Sequence, residues 1–114
     1  MAKIKHKGQV IINNAIVAKT LFQKMRGLIF RKKAVPIWLE FEEEGVWVIH
    51  SCFVAFPFDA VFIGRNGKAV DIFENINPFN LRIEPKNSCK AILELPKGTV
   101  RKFKISKGDS ISVL

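Results

Sequence analysis

The fold is decided by the stretch Ala60-Val61-Phe62-Ile63-Gly64-Arg65-Asn66-Gly67-Lys68-Ala69-Val70-Asp71-Ile72-Phe73. Two short runs rich in β-branched and aromatic side chains flank an Asn-Gly pair, and that arrangement specifies a tight β-hairpin. Both central positions of a type I′ turn need positive φ, so Asn66-Gly67 is read as that turn. Upstream, Val46 to Ile49 and Cys52 to Ile63 are nearly all apolar, as strands covered on both faces are. Pro57 bars an uninterrupted central strand, so two strands joined by a bend are expected. Before them, Ile37, Leu39 and Phe41 alternate with Trp38, Glu40 and Glu42, which predicts a half-buried strand ending in an acidic turn at Glu43 to Gly45.

Toward the N-terminus, Gln9 to Ile12 and Ala15 to Ala18 are short apolar runs around Asn13-Asn14, read as a second hairpin. From Thr20 the period changes: Leu21, Phe22, Met25, Leu28 and Ile29 share one helical face, predicting an amphipathic helix over about 20–31 with Thr20 as its N-cap. Toward the C-terminus, residues 75–88 carry two prolines and four asparagines and read as a surface loop. Lys90 to Leu95 follows as a strand. A short helix over about 98–103 comes next with Val100 and Phe103 facing inward, and a turn at Lys107-Gly108-Asp109 leads to a last strand, Ile111 to Leu114. The expected fold is a β-rich α+β domain: a small barrel-like or sandwich-like sheet of six to eight short strands with two helices.

The chain has 114 residues, room for one core, and is read as a single domain over 1–114. Hydrophobic residues at 48% and charged residues at 25% exclude a disordered or low-complexity chain. No apolar run reaches 18 residues and no signal-peptide core follows the basic start, so a cytoplasmic, membrane-free setting is expected. Cys52 and Cys89 stand far apart with no CxxC pair, which suggests neither a zinc knuckle nor a disulfide framework. GxxxxGK[ST], GxGxxG, HExxH and EF-hand patterns are missing, so no metal and no cofactor is expected.

The formal net charge is +9, unevenly placed. Residues 1–33 hold Lys3, Lys5, Lys7, Lys19, Lys24, Arg26, Arg31, Lys32 and Lys33 and no acid, residues 34–84 are net acidic, and the last thirty are basic again. Such a surface attracts polyanions over about 8 Å at physiological salt. Its aromatics, however, lie in apolar runs rather than among the lysines, which predicts weak, sequence-blind nucleic-acid binding only.

Several segments together resemble the family named domain of unknown function 192. They are Ala18-Lys-Thr-Leu-Phe22, Arg26-Gly-Leu-Ile-Phe-Arg31, His50-Ser-Cys-Phe-Val-Ala-Phe-Pro-Phe-Asp59, Gly67-Lys-Ala-Val70, Leu93-Glu-Leu-Pro-Lys-Gly-Thr99 and Lys107-Gly-Asp109. The resemblance covers nearly the whole chain. It implies a compact β-rich domain and no established reaction.

The candidate ligand-binding residues are His50, Cys52, Asp59 and Arg26. Asp59 is an isolated carboxylate inside an apolar run and needs local satisfaction, by backbone N–H groups or by a cation such as Arg26. His50 and Cys52 are an i, i+2 pair on one strand face, an arrangement that can set a thiolate beside an imidazole. Trp38 and Trp47 would flank the acidic turn on neighbouring strands, either packed in the core or forming an exposed aromatic platform. The function read from these residues is a small soluble binding or interaction domain without catalysis, its partner an unidentified small molecule or protein. Two alternatives stay open: an enzyme using His50, Cys52 and Asp59, and a non-specific nucleic-acid binder.

Overall fold

A computed structural model describes residues 2–20, 23–24, 31–49, 54–80 and 82–114. Seven strands form one curled half-barrel sheet: β1 (Ala2–His6), β2 (Gln9–Ala18), β3 (Ile37–Gly45), β4 (Phe58–Ile63), β5 (Ala69–Ile76), β6 (Cys89–Pro96) and β7 (Ile111–Val113). Their order is β5-β4-β6-β3-β2-β1-β7. The short helix α1 (Thr99–Phe103) follows β6. The edges approach each other, because Ile111 N–H donates to Gly67 O at 2.9 Å and Ala69 N–H to Asp109 O at 2.9 Å.

The central hairpin forms where expected, with a different turn. Gly67 N–H donates to Gly64 O at 2.9 Å and Gly64 N–H to Lys68 O at 2.9 Å. Only Gly67, at φ 79°, takes positive φ. The connection is therefore a three-residue loop, a β-turn through Arg65-Asn66 followed by a left-handed glycine, rather than type I′. The type I′ geometry appears instead at Lys7 (φ 52°) and Gly8 (φ 81°), the two-residue loop between β1 and β2. The hairpin expected at Asn13-Asn14 is not there: β2 runs through both, and the β1–β2 register slips between Ile4↔Ile12 and Ala2↔Ala15. The two asparagines mark a bulge, which an exposed polar pair accommodates within a strand.

β2 and β3 are parallel, Ile16 opposite Ile37, so their connection is a crossover and not a hairpin. Thr20 starts that crossover as a capping box. Gln23 N–H donates to Thr20 Oγ1 (3.1 Å), while Gln23 Oε1 accepts from the Thr20 N–H (3.2 Å) and the Lys19 N–H (3.0 Å). Gln23 and Lys24 are helical; the rest of the helix expected over 20–31 lies outside the described residues up to Arg31, which is not helical.

Val46 to Ile49 is not a strand. Val46 is 51% exposed, and only Ile49 pairs, with Ile83. The acidic run is correspondingly not a turn, since β3 continues through Glu43 and Glu44 to Gly45. The expected loop is shorter too, because β5 extends to Ile76 and Ile83 within the loop is buried.

Alternation on the central strands separates two apolar clusters on opposite faces. Leu93, Leu95, Val61, Ile63, Ile4, Ile111, Trp38 and Val100 form the first, capped by α1. Ile92, Phe58, Ala60, Phe62, Ile37, Leu39 and Val54 form the second.

Candidate functional site

β6 carries the run Ala91-Ile92-Leu93-Glu94-Leu95, a fully buried strand interrupted by one carboxylate. Antiparallel partners share a face, and Glu94 is opposite Ala60 on β4 and Ile37 on β3. It therefore belongs to the second cluster's face, beside the rings of Phe58 and Phe62 that flank Ala60 along β4. Among these neighbours Ala60 is the smallest. Glu94 is 5% exposed, and its Oε1 is buried with no hydrogen-bond partner among the described residues. Burial raises its pKa to about 7, opposed by the field of the Arg31 guanidinium. Near neutral pH this carboxyl exists in both protonation states. It can accept from a donor or, protonated, donate to an acceptor, without rearrangement of the sheet.

Asp59 is the contrasting case. It is 1% exposed, points to the first cluster's face, and is satisfied by backbone. Asn75 N–H donates to Oδ1 at 2.9 Å and Val100 N–H to Oδ2 at 3.0 Å. It ties an irregular point of β5, where Asn75 has φ 54°, to the first turn of α1. Asp71 is held similarly, accepting from the Lys86 N–H (3.1 Å) and Asn87 N–H (3.0 Å) and fastening the end of the long loop. Asp59 and Glu94 project from opposite faces and do not converge.

The other expected site residues divide. His50, Cys52 and Arg26 lie outside the described residues. Trp38 is 5% exposed, within the first cluster, and its Nε1 donates to Glu40 Oε1 at 3.3 Å. Trp47, 36% exposed, stacks on Phe41 with centroids 4.5 Å apart and planes 4° apart, and Lys24 Nζ lies 4.6 Å from the Phe41 centroid. The two indoles thus form neither a cross-strand pair nor a common platform, because β3 runs on where a turn was expected. Cys89 is buried and its thiol pKa is pushed up to about 11 by burial, so it is inert as a nucleophile. Among the described residues no group of three or more His, Cys, Asp or Glu is placed to hold a metal, and no helix is long and apolar enough to cross a membrane.

The family model of the domain of unknown function 192, described as Uncharacterized ACR, matches residues 2–113. A UPF0127 protein of Thermococcus sibiricus is 28% identical over 110 residues, spanning 94% of this chain and 70% of the relative. A UPF0127 protein of Pyrococcus furiosus is 28% identical over 107 residues, 92% of this chain and 90% of the relative. Two crystal structures share the fold. One, named "a putative transcription regulator", from Sinorhizobium meliloti 1021, superposes with TM-score 0.88 at 22% identity over 99% of this chain and 94% of that one. The other, a protein of unknown function from Novosphingobium aromaticivorans DSM 12444, gives 0.86 at 17% identity over 97% and 82%.

Proposed function

The chain belongs to the family domain of unknown function 192, and on that premise we propose that it is a small-molecule binding module without catalysis, its ligand anchored by Glu94 on the apolar face of the β3–β6–β4 sheet. One observation carries this reading: Glu94 Oε1 is buried without a partner among the described residues. An unsatisfied buried carboxylate costs a fold several kcal/mol, a cost that selection retains where the group has a task. Asp59 and Asp71, also buried, are satisfied by backbone N–H groups, so the sheet is able to solvate its carboxylates internally, whereas Glu94 Oε1 has no partner among the described residues. The surrounding chemistry defines the ligand as mostly apolar, packing against Ile37, Ile92 and the β4 phenylalanines, with one polar hydrogen-bonding group directed at Glu94. A cytoplasmic setting, in which the free Cys89 thiol stays reduced, is part of the reading.

The test is a thermal-shift screen of apolar metabolites bearing an amine, amide, hydroxyl or carbonyl, run on the wild type and on Glu94→Leu. Compounds that raise the wild-type melting temperature and leave Glu94→Leu unmoved support the reading. Hits that stabilise both proteins equally place the ligand elsewhere and defeat it.

A further inference from the structure

A second surface stands on independent observations. On β1, Ile4 and His6 point into the first cluster's side while Lys3 and Lys5 face the outside, and Lys7 follows in the exposed turn between β1 and β2. Lys3 and Lys5 are two strand positions apart, about 6.8 Å along a regular strand, with a register irregularity of the β1–β2 pair between Ile4 and Lys5. The flanking strands extend the face. Lys5 is opposite Ser112 on β7 and Val10 on β2, Lys7 N–H donates to Ser110 O at 2.9 Å, and Asn13 and Asn14 on β2 are exposed. None of β1, β2 and β7 contains an Asp or Glu. The nearest carboxylate in sequence, Asp109, is turned away from this face: its Oδ2 accepts from His6 Nε2 at 2.8 Å and from the Ser106 N–H at 2.9 Å, with Lys7 adding to its field. The exposed acids lie on other elements, Glu42, Glu43 and Glu44 at the end of β3, Glu74 on β5 and Glu84 in the loop. The result is a cluster of three cations with hydroxyl and amide donors beside it and, among the described residues, no Asp or Glu side chain in an ion pair with it, Lys7 contributing only to the field at Asp109.

We infer that this face of β1, β2 and β7 binds the phosphodiester backbone of nucleic acid. Phosphate contacts come from Lys, Ser and Asn side chains of this kind, and they position without reading sequence. An anionic membrane fits less well, because surface attachment also requires apolar area to bury, and among the described residues Val10 on β2 and Leu114 just after β7 are the large exposed apolar side chains here. The face has no aromatic residue on which bases could stack, so the contact is sequence-blind.

Three phosphate contacts give a slope of about −2.7 for log K against log salt on duplex DNA, or about 40-fold weaker binding from 50 to 200 mM. Fluorescence anisotropy with labelled 20-mer duplex DNA, single-stranded DNA and single-stranded RNA reads this slope for the wild type, for Lys3→Gln/Lys5→Gln/Lys7→Gln, and for Lys97→Gln/Arg101→Gln/Lys102→Gln as a basic control elsewhere. The strand variant should lose about three units of slope, and the control should keep the wild-type value. Lys5→Gln alone, losing about one unit, serves if the triple variant melts early. The inference is overturned if the control variant abolishes binding and the strand variant does not. It is also overturned if the row binds phosphatidylserine vesicles at 100 mM salt under conditions where every nucleic acid dissociates.

Discussion

Replacing Glu94 by Gln isolates what the open carboxylate costs. In the unfolded chain a glutamate titrates near 4.5, and in the fold burial raises Glu94 to about 7. The native state therefore binds the proton more tightly, so stability is greatest below pH 4.5 and falls as pH rises toward 7. Two and a half units at 1.36 kcal/mol each give about 3 kcal/mol lost by pH 8. Gln carries no charge at any pH, but its amide adds a buried donor worth about 1 kcal/mol against it. A net gain of about 2 kcal/mol at pH 8 remains. For a chain of this length 1 kcal/mol moves the melting temperature by about 4 °C, so Glu94→Gln should melt about 8 °C higher than the wild type at pH 8. At pH 5 the two should differ by no more than about 4 °C, with the wild type the higher. Differential scanning calorimetry from pH 5 to 8 measures this, and other titrating groups cancel in the difference between the two proteins. Parallel profiles across that range would refute the reasoning, because they would mean that Glu94 is ionised at little cost and already has a partner.

Three further outcomes follow from the same structure. Asp59→Asn should cost about 2 to 3 kcal/mol in chemical denaturation, because both carboxylate oxygens accept backbone N–H groups and the new amide NH2 must face one of them; a loss under 0.5 kcal/mol would contradict that geometry. Gly67→Ala should cost about 1 kcal/mol from positive φ alone, since a Cβ there meets only Ile111 O at 3.9 Å, and an unchanged denaturation midpoint would contradict the turn assignment. The hydrogen bond from His6 holds Asp109 below the ordinary carboxylate range, so its contribution to stability is present above that range and lost as pH falls through the lowered value. Asp109→Asn should therefore lower the melting temperature at neutral pH and flatten the acid limb of the pH profile, while a lowered but parallel profile would show that the pair does not titrate with folding.

Much of the sheet is legible in the sequence because strands β3 to β6 carry either strict alternation or continuous burial. Turn chemistry is less so. Asn13-Asn14 and Lys7-Gly8 both tolerate positive φ, but β1 alternates Lys with Ile4 and His6, a pattern of low hydrophobicity that does not announce a strand. The sequence pattern therefore points to a hairpin one run later than the one that forms. Val46 to Val48 misleads in the opposite way: apolar composition without alternation reads as buried strand, yet tertiary context leaves the segment exposed beside the Trp47–Phe41 stack. Asp59 stands out as a lone carboxylate in an apolar run, and the structure gives it backbone donors. Glu94 carries the same signal within Ala91 to Leu95 and inside a family-like segment, but a single Glu in a strand fits a solvent-facing position equally well, so the sequence does not single it out. The register against Ala60 and Ile37 places Glu94 on the second cluster's face, and its low exposure shows that it is buried there.

The central claim, that the face around Glu94 receives a ligand, is tested most directly by methyl-detected NMR of the wild type and Glu94→Leu against a library of apolar fragments bearing one hydrogen-bonding group. Fragments should shift the methyl resonances of Ile37, Ile92 and Ala60, the immediate neighbours of the carboxylate, and the same fragments should lose those shifts in Glu94→Leu. Fragments that perturb residues elsewhere, or that shift these methyls equally in both proteins, would contradict the claim.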